Sequence, residues 1–220
     1  MMRIEIVSFS AAGEDEIAIS VELCEGENFE RRRLVLPSFV YADMRLCRGE
    51  CSAELYDAIE GEARIYVAYK RGLYILGFGT CSERMLVSKL VSKGFDNTVS
   101  RAAVARLAQK GFLSEGDGAL REAERCVAKL WGATRIRAHL VSKGYSSDAV
   151  NKAMFALDDA GVDFLQNCIK LIDTKCKVLP SDRGELQKLI ASICRYGYSL
   201  GDVKAACTAV ANRKKSIYDV

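Results

Sequence analysis

A five-residue stretch, LVSKG, occurs twice in this 220-residue chain and organises the rest of the sequence. It spans residues 90–94 and, 50 positions later, residues 140–144, and the flanking residues match in the same register. A weaker third copy, Gly197-Tyr198-Ser199, follows 53 positions after the second. A repeat of this size is typical of chains in which similar structural units stack in tandem. The sequence therefore predicts three tandem repeats.

Each repeat has the pattern of a helix, a glycine turn and a second helix. Two apolar residues four positions apart precede each glycine, which puts both on one helix face. These pairs are Leu86 with Leu90, Ile136 with Leu140, and Leu189 with Ile193. Glycine ends a helix readily because it enters the left-handed conformation without steric cost. A helix N-cap residue follows two positions after each glycine: Asp96, Ser146 and Ser199. A further helix precedes each pair, so we expect three helices per repeat.

The first 36 residues have the pattern of a small sheet. Residues 16–23 alternate between apolar and polar side chains, as a half-buried strand does. Runs at 3–9 and 29–36, with turns between them, complete a three-stranded antiparallel meander. Helices at 38–48 and 52–59 would cover it, and helical pattern continues to Leu76 with breaks expected near Gly61 and Gly72. The predicted segments are 1–60 for the meander and its helices, 61–115, 116–162 and 163–220 for the repeats.

Charge is distributed unevenly along the chain. Residues 1–60 hold 6 Lys/Arg against 13 Asp/Glu, whereas the remainder holds 26 against 16. Within this remainder, residues 79–145 hold 12 Lys/Arg against 6 Asp/Glu. An excess of positive charge of this kind indicates an anionic partner. The alternative is an ordinary solvated helical surface, since Lys and Arg are good helix formers.

Residues that could carry catalysis or bind a metal do not form a recognisable motif. His139 is the one histidine, and Cys47-x₃-Cys51 has no second Cys/His pair at zinc-site spacing. No P-loop occurs, and Gly77-x-Gly79 lacks a third glycine. We therefore expect no catalytic residue, no cofactor and no bound metal. The nine cysteines fit reduced thiols in a cytoplasmic protein, and neither a signal peptide nor an apolar run of ~20 residues is present.

Basic residues near the repeat turns are the candidate contacts with an anionic partner such as nucleic-acid phosphates. They are Lys89, Lys93, Arg101, Arg106, Arg135, Arg137, His139 and Lys143. Arg135, His139 and Lys143 follow one another at four-residue spacing and so form one line along a helix. Ile136 and Leu140 are displaced by about 100° and can pack inward while this line faces out.

Two runs of the sequence resemble a known family. The pattern Ser-x₃-Leu-x₃-Leu-x₂-Lys-Gly-Phe at 82–95 resembles the first repeat of the RecX family of recombination regulators. The pattern Gly-Ala-x-Arg-Ile-x₃-Leu-x₂-Lys-Gly-Tyr at 132–145 resembles its second repeat. The resemblance covers about residues 60–212. Two departures stand out: Gly79-Thr80-Cys81 lies where the family has an arginine, and Gly118 replaces an aromatic residue.

The resemblance implies a fold and a function. The fold would be mainly α, with three tandem three-helix repeats in an elongated, curved array behind the β-meander. The protein would bind the RecA recombinase filament on single-stranded DNA, lie in its groove, and restrain ATP hydrolysis, strand exchange and filament growth, with a place in DNA repair, homologous recombination and the SOS response. An alternative from the residues alone is a nucleic-acid-binding helical repeat protein that acts on single- or double-stranded DNA without a recombinase. An enzyme built around His139 and the cysteines is a third hypothesis.

Overall fold

The computed structural model describes residues 3–176 and 178–218, with side chains described as far as residue 213. It divides into two compact units. The first unit contains the described part of 1–79 together with 86–113, and the second contains 80–85 and the described part of 114–220. The expected fold class, mainly helical with a small N-terminal antiparallel sheet, is confirmed. The four-segment division proposed from the sequence stays a prediction.

The first unit begins with a four-stranded antiparallel sheet. Strands β1 (Arg3–Gly13), β2 (Glu16–Glu25) and β3 (Asn28–Pro37) form the predicted meander. A short strand, β4 (Gly49–Cys51), pairs with the start of β1 and gives the order β3-β2-β1-β4. The strand β4 is not predicted from the sequence because its three residues are too few to show an alternating pattern. The helix expected at 38–48 is shorter, α1 (Ser38–Asp43), and ends before Arg45, whose φ is +48°.

A single long helix, α2 (Ala53–Leu76), covers the apolar face of the sheet. The breaks expected near Gly61 and Gly72 are wrong, because neither glycine interrupts the helix. Gly72 instead allows close packing, since a Cβ at this position would lie 2.5 Å from the Leu107 side chain. Two further helices, α3 (Glu83–Val91) and α4 (Asn97–Gln109), follow.

The described part of the second unit includes six complete helices in two groups of three. The first group is α5 (Glu115–Ala128), α6 (Ala133–Ser142) and α7 (Ser147–Asp159), and the second is α8 (Phe164–Lys175), α9 (Arg183–Cys194) and α10 (Leu200–Tyr218). Each group encloses its own apolar core, and Phe164 packs against both. Across the part of the chain that the structure describes, no helix combines the length and apolar character needed to cross a bilayer.

The glycine turns have the geometry expected from the sequence. Gly94, Gly144 and Gly197 all have positive φ, at +94°, +83° and +96°. The Asp96 carboxylate and the Ser146 hydroxyl each accept a hydrogen bond from the backbone of the next helix, as N-caps do. The predicted inward pairs are buried, apart from the half-buried Leu189: Leu86, Leu90, Ile136, Leu140 and Ile193. Local sequence signals therefore determine this part of the fold.

Candidate functional site

Three basic candidates of the first repeat present their charge to solvent. Lys89 lies on α3, Lys93 in the turn after it and Arg101 on α4, and all three are exposed. Arg101 Nε donates to Asn97 Oδ1 at 2.7 Å. Among the described residues, no carboxylate lies within ion-pair distance of these three side chains. They are therefore available to an anionic partner.

Arg106, the fourth candidate of that repeat, is held within the first unit. Its Nη2 donates to Glu62 Oε2 at 3.0 Å, and its side chain is only 22% exposed. The Nη1 atom is enclosed and has no acceptor among the described residues. Arg106 also lines a cavity of about 460 Å³ with Tyr69 and Lys110, among others. Its contacts fit a structural role within the first unit better than contact with a large partner.

The basic line on α6 does not face solvent freely, which corrects the sequence-based expectation. Arg135 stacks on two aromatic rings, with Cζ 3.9 Å from the Trp131 centroid and 5.3 Å from that of Tyr196. Such cation–π contacts contribute about 0.5–2 kcal/mol each, depending on exposure. Of the basic residues on this helix, only Arg137 is exposed, and its Nη1 donates to Asn151 Oδ1 at 2.9 Å. Helical spacing alone predicts that the basic residues form a line. It does not predict the aromatic neighbours Trp131 and Tyr196, which lie outside α6.

His139 makes a close contact with a carboxylate that the helical spacing does not predict. His139 Nε2 lies 2.7 Å from Glu122 Oε1 on α5, and the ring stands edge-on to Trp131 at 5.2 Å. The hydrogen bond with His139 lowers the pKa of Glu122. Cys126 lies one turn beyond Glu122 and is 1% exposed, and burial raises the pKa of its thiol. The Glu-x₃-Cys spacing on an amphipathic helix is the sequence signal that could have indicated that Glu122 and Cys126 share one face.

Lys143 ends the line and is half-buried. Its carbonyl accepts a hydrogen bond from Ser82 Oγ at 2.7 Å, and its side chain lines a small cavity of about 50 Å³ next to Glu122 and Tyr145. The charge of Lys143 also helps to lower the pKa of Glu122. The half-buried residues Arg135, His139 and Lys143 thus belong to the packing of the second unit as much as to its surface.

An exposed groove on the first unit combines aromatic and basic side chains and was not anticipated. Tyr74 and Phe78 are 58% and 78% exposed, and their rings meet edge to face at 4.9 Å. Arg71 lies over the Tyr74 ring at 5.0 Å. An open depression of about 490 Å³ connects this helix with the glycine turn, and its lining residues are Val67, Lys70, Arg71, Tyr74, Lys93 and Phe95. We call this depression the α2 groove.

Comparisons with known proteins agree on one family. No family model matches the chain. Two proteins named Regulatory protein RecX, from strains B100 and 8004 of Xanthomonas campestris pv. campestris, are 28% identical over 138 residues, which is 62% of this chain and 83% of theirs. A third, from Xanthomonas citri, is 26% identical over the same length.

Solved structures share the fold. A crystal structure of regulatory protein RecX aligns with a TM-score of 0.71 and 18% identity, over 92% of this chain and 99% of the other. RecX from Lactobacillus salivarius aligns with a TM-score of 0.58 and 15% identity, over 67% and 97%. The chain is therefore similar in sequence to proteins named Regulatory protein RecX and shares the fold of RecX crystal structures.

Proposed function

We propose that this protein binds the RecA recombinase filament on single-stranded DNA and restrains its ATP hydrolysis, strand exchange and growth. The observation that carries the proposal is the similarity to proteins named Regulatory protein RecX, which spans 138 residues. Its place in the cell would be the cytoplasm, in DNA repair, homologous recombination and the SOS response. The protein would act by binding rather than by catalysis.

Exposed positive charge supports a surface that binds an anionic partner in this role. Lys89, Lys93 and Arg101 project from the first unit, and Arg137 projects from α6 of the second. A filament that carries DNA has a groove lined by phosphates as well as protein, so exposed cations would be attracted to it. Because exposed charges are screened within about 8–10 Å at physiological salt, the interaction should weaken as the salt concentration rises.

The half-buried basic candidates have a different proposed role from the exposed ones. Arg135 is held between Trp131 and Tyr196, and His139 is held by Glu122. These contacts fix α6 in the second unit, so the two side chains would position the exposed Arg137 rather than reach for the partner. Binding would then depend mainly on the exposed cations.

A second candidate function, direct binding of single-stranded nucleic acid, has an observation in its favour. The α2 groove offers Tyr74 as an exposed ring, with the exposed Phe78 ring against it, and Arg71 and Lys93 as cations. Bases stack on exposed aromatic side chains while cations contact the phosphates, at about 1–3 kcal/mol for each stacked base. This surface would serve either function, so the two must be separated by experiment.

Co-sedimentation separates the two functions directly. The protein is mixed at one fixed salt concentration with cognate recombinase filaments on single-stranded DNA, with naked single-stranded DNA, or with recombinase alone. The proposal expects co-sedimentation with filaments at protein concentrations that leave naked DNA unbound. Equal binding to naked DNA and to filaments would instead support the nucleic-acid-binding function, and failure to bind filaments would contradict the proposal.

A further inference from the structure

We propose that Glu122, Cys126 and His139 form a binding site for one divalent transition-metal ion of the zinc class. Glu122 and Cys126 lie four residues apart on α5, and His139 faces them from α6. One ligating atom from each residue lies within 4.8 Å of the other two. The site lies in the second unit beside the apolar core of the second repeat.

The kinds of donor atom select the class of metal. A thiolate, an imidazole nitrogen and a carboxylate oxygen together suit zinc and cobalt, whereas calcium and magnesium prefer oxygen ligands alone. Glu122 and His139 are each less than a quarter exposed, and Cys126 is 1% exposed. Burial of this degree distinguishes the three residues from a chance cluster of surface groups.

The separation of the His139 and Glu122 ligating atoms is close to the one that zinc requires. Zinc ligands at about 2.0–2.1 Å in a tetrahedral arrangement place a nitrogen and an oxygen about 3.3 Å apart. His139 Nε2 and Glu122 Oε1 are 2.7 Å apart, within hydrogen-bond distance. The ion would take the place of that hydrogen bond, and the two side chains would separate by about 0.6 Å.

A fourth ligand can come from solvent. The cavity of about 50 Å³ beside Glu122 is lined by Cys81, Ser82, Lys143 and Tyr145. A water molecule needs only about 10–15 Å³ of such space and two or more polar partners. Three protein ligands and one water molecule would complete four-coordination, as in zinc sites that keep an open position.

The electrostatic surroundings limit how tightly the ion would bind. Arg125 and Lys143 act on Glu122, while Lys129, Arg135 and Lys143 act on Cys126, and all of these cations oppose a divalent ion. The ionised thiolate and carboxylate would offset the ion's two charges. The ion would link α5 to α6 and hold His139 against Trp131. This inference is independent of the proposed function.

Cobalt titration tests the site because a thiolate bound to Co²⁺ has a charge-transfer band in the near ultraviolet. The full chain is reduced, stripped of metal and titrated with Co²⁺, then with Zn²⁺. We expect one equivalent of Co²⁺ to produce the band together with the visible bands of four-coordinate cobalt, and Zn²⁺ to abolish both. A folded parent protein that shows no such band would overturn the proposal.

Three variants assign the ligands. His139→Gln and Glu122→Gln keep hydrogen-bonding side chains and should raise the Co²⁺ dissociation constant by about tenfold or more. Cys126→Ser should abolish the thiolate band. Cys47→Ser and Glu124→Gln are the matched controls, since Cys47 and Glu124 are exposed and lie outside the site.

Circular dichroism establishes that each variant is folded. If Cys126→Ser fails to fold, loss of affinity in His139→Gln decides the question alone. A band that survives in folded Cys126→Ser, or one that disappears in Cys47→Ser, would show that cobalt binds elsewhere and would overturn the assignment.

Discussion

Gly132 and Gly197 meet backbone to backbone in the second unit. Gly132 N donates to the carbonyl of Tyr196 at 2.8 Å, and a Cβ at residue 132 would lie 2.7 Å from Tyr198 N and overlap the carbonyl of Gly197. Gly197 is the turn glycine of the third repeat, and Gly132 begins the helix of the second. The two groups of helices therefore meet where neither residue has a side chain.

Gly132→Ala should consequently destabilise the second unit. An added methyl group that meets backbone atoms forces the chain to shift, and such overpacking costs about 1–3 kcal/mol. Urea unfolding of the parent and the variant, compared at the transition midpoints, measures the loss of stability. Gly116→Ala is the matched control, because a Cβ at Gly116 meets nothing within 4 Å, and alanine should slightly stabilise helix α5. Equal midpoints for Gly132→Ala and the parent would contradict the close contact.

Leu140→Asp should unfold the second unit. Leu140 is 0% exposed at the centre of the core of the second repeat, and a buried carboxylate without a partner costs several kcal/mol. Val141→Asp places the same charge on the next residue, which is 58% exposed, and should change the unfolding free energy by less than about 0.5 kcal/mol. Thermal melts followed by circular dichroism distinguish the two, and identical melts would show that Leu140 is not in the core.

Glu16 should make the stability of the first unit depend on pH. Its Oε1 accepts hydrogen bonds from the Tyr66 hydroxyl at 2.8 Å and from Lys70 Nζ at 3.1 Å. The Tyr66 hydrogen bond, followed by that of Lys70, lowers the pKa of Glu16 below its ordinary value of 4.5. A carboxyl with a lowered folded-state pKa adds stability above its unfolded pKa, and this contribution is lost as the pH falls through the folded value.

The test is Glu16→Gln, which should reduce the unfolding free energy by about 1 kcal/mol at pH 7, because a partly exposed lysine adds little to the Tyr66 contact. The difference from the parent should shrink as the pH falls below 4.5 and disappear once the pH is below the lowered pKa of Glu16 in the folded protein. Glu14→Gln, at an exposed position two residues earlier, is the control and should show no comparable difference. If the unfolding free energy of Glu16→Gln stays lower than that of the parent by the same amount at pH 3, the carboxylate charge has no role.

Lys89→Glu combined with Lys93→Glu should weaken the proposed action on the recombinase while leaving the fold intact. Both lysines are exposed and free of ion pairs with described residues, so reversing them changes the surface charge alone. The measurement is the concentration that halves DNA-dependent ATP hydrolysis, at fixed salt, and we expect a rise of about tenfold. The control is Lys188→Glu combined with Lys204→Glu, which changes the net charge equally on α9 and α10. Equal potency of the two double variants would exclude Lys89 and Lys93 from the contact surface.

Local signals in the sequence predicted much of the fold. The turn glycines and the N-caps Asp96 and Ser146 depend on residues within one turn of each other, so pattern alone locates them. The fourth strand and the uninterrupted α2 depend on distant partners: β4 pairs with β1, and Gly72 accommodates Leu107. Gly118, which departs from the family pattern, is explained in the same way, because the Tyr145 ring occupies the space beside it.

The candidate site was less predictable for the same reason. Helix spacing put Arg135 and His139 on one line, but it gave no information about what faces that line. Tyr196 stacks on Arg135 from 61 positions along the chain, and Glu122 meets His139 from the neighbouring helix. Whether each basic side chain is exposed depends on these distant partners, which only the folded structure brings together. Lys89 and Lys93 are exposed, so the functional prediction is made for them.

The measurement that tests the central claim most directly is ATP hydrolysis by the cognate recombinase on single-stranded DNA, with increasing amounts of the parent protein at constant salt. We predict a dose-dependent fall in hydrolysis at amounts of protein too small to cover the DNA. We also predict that filaments assembled before the protein is added are inhibited. Hydrolysis that stays constant at all concentrations, or that falls only when the protein saturates the DNA before the recombinase is added, would contradict the account.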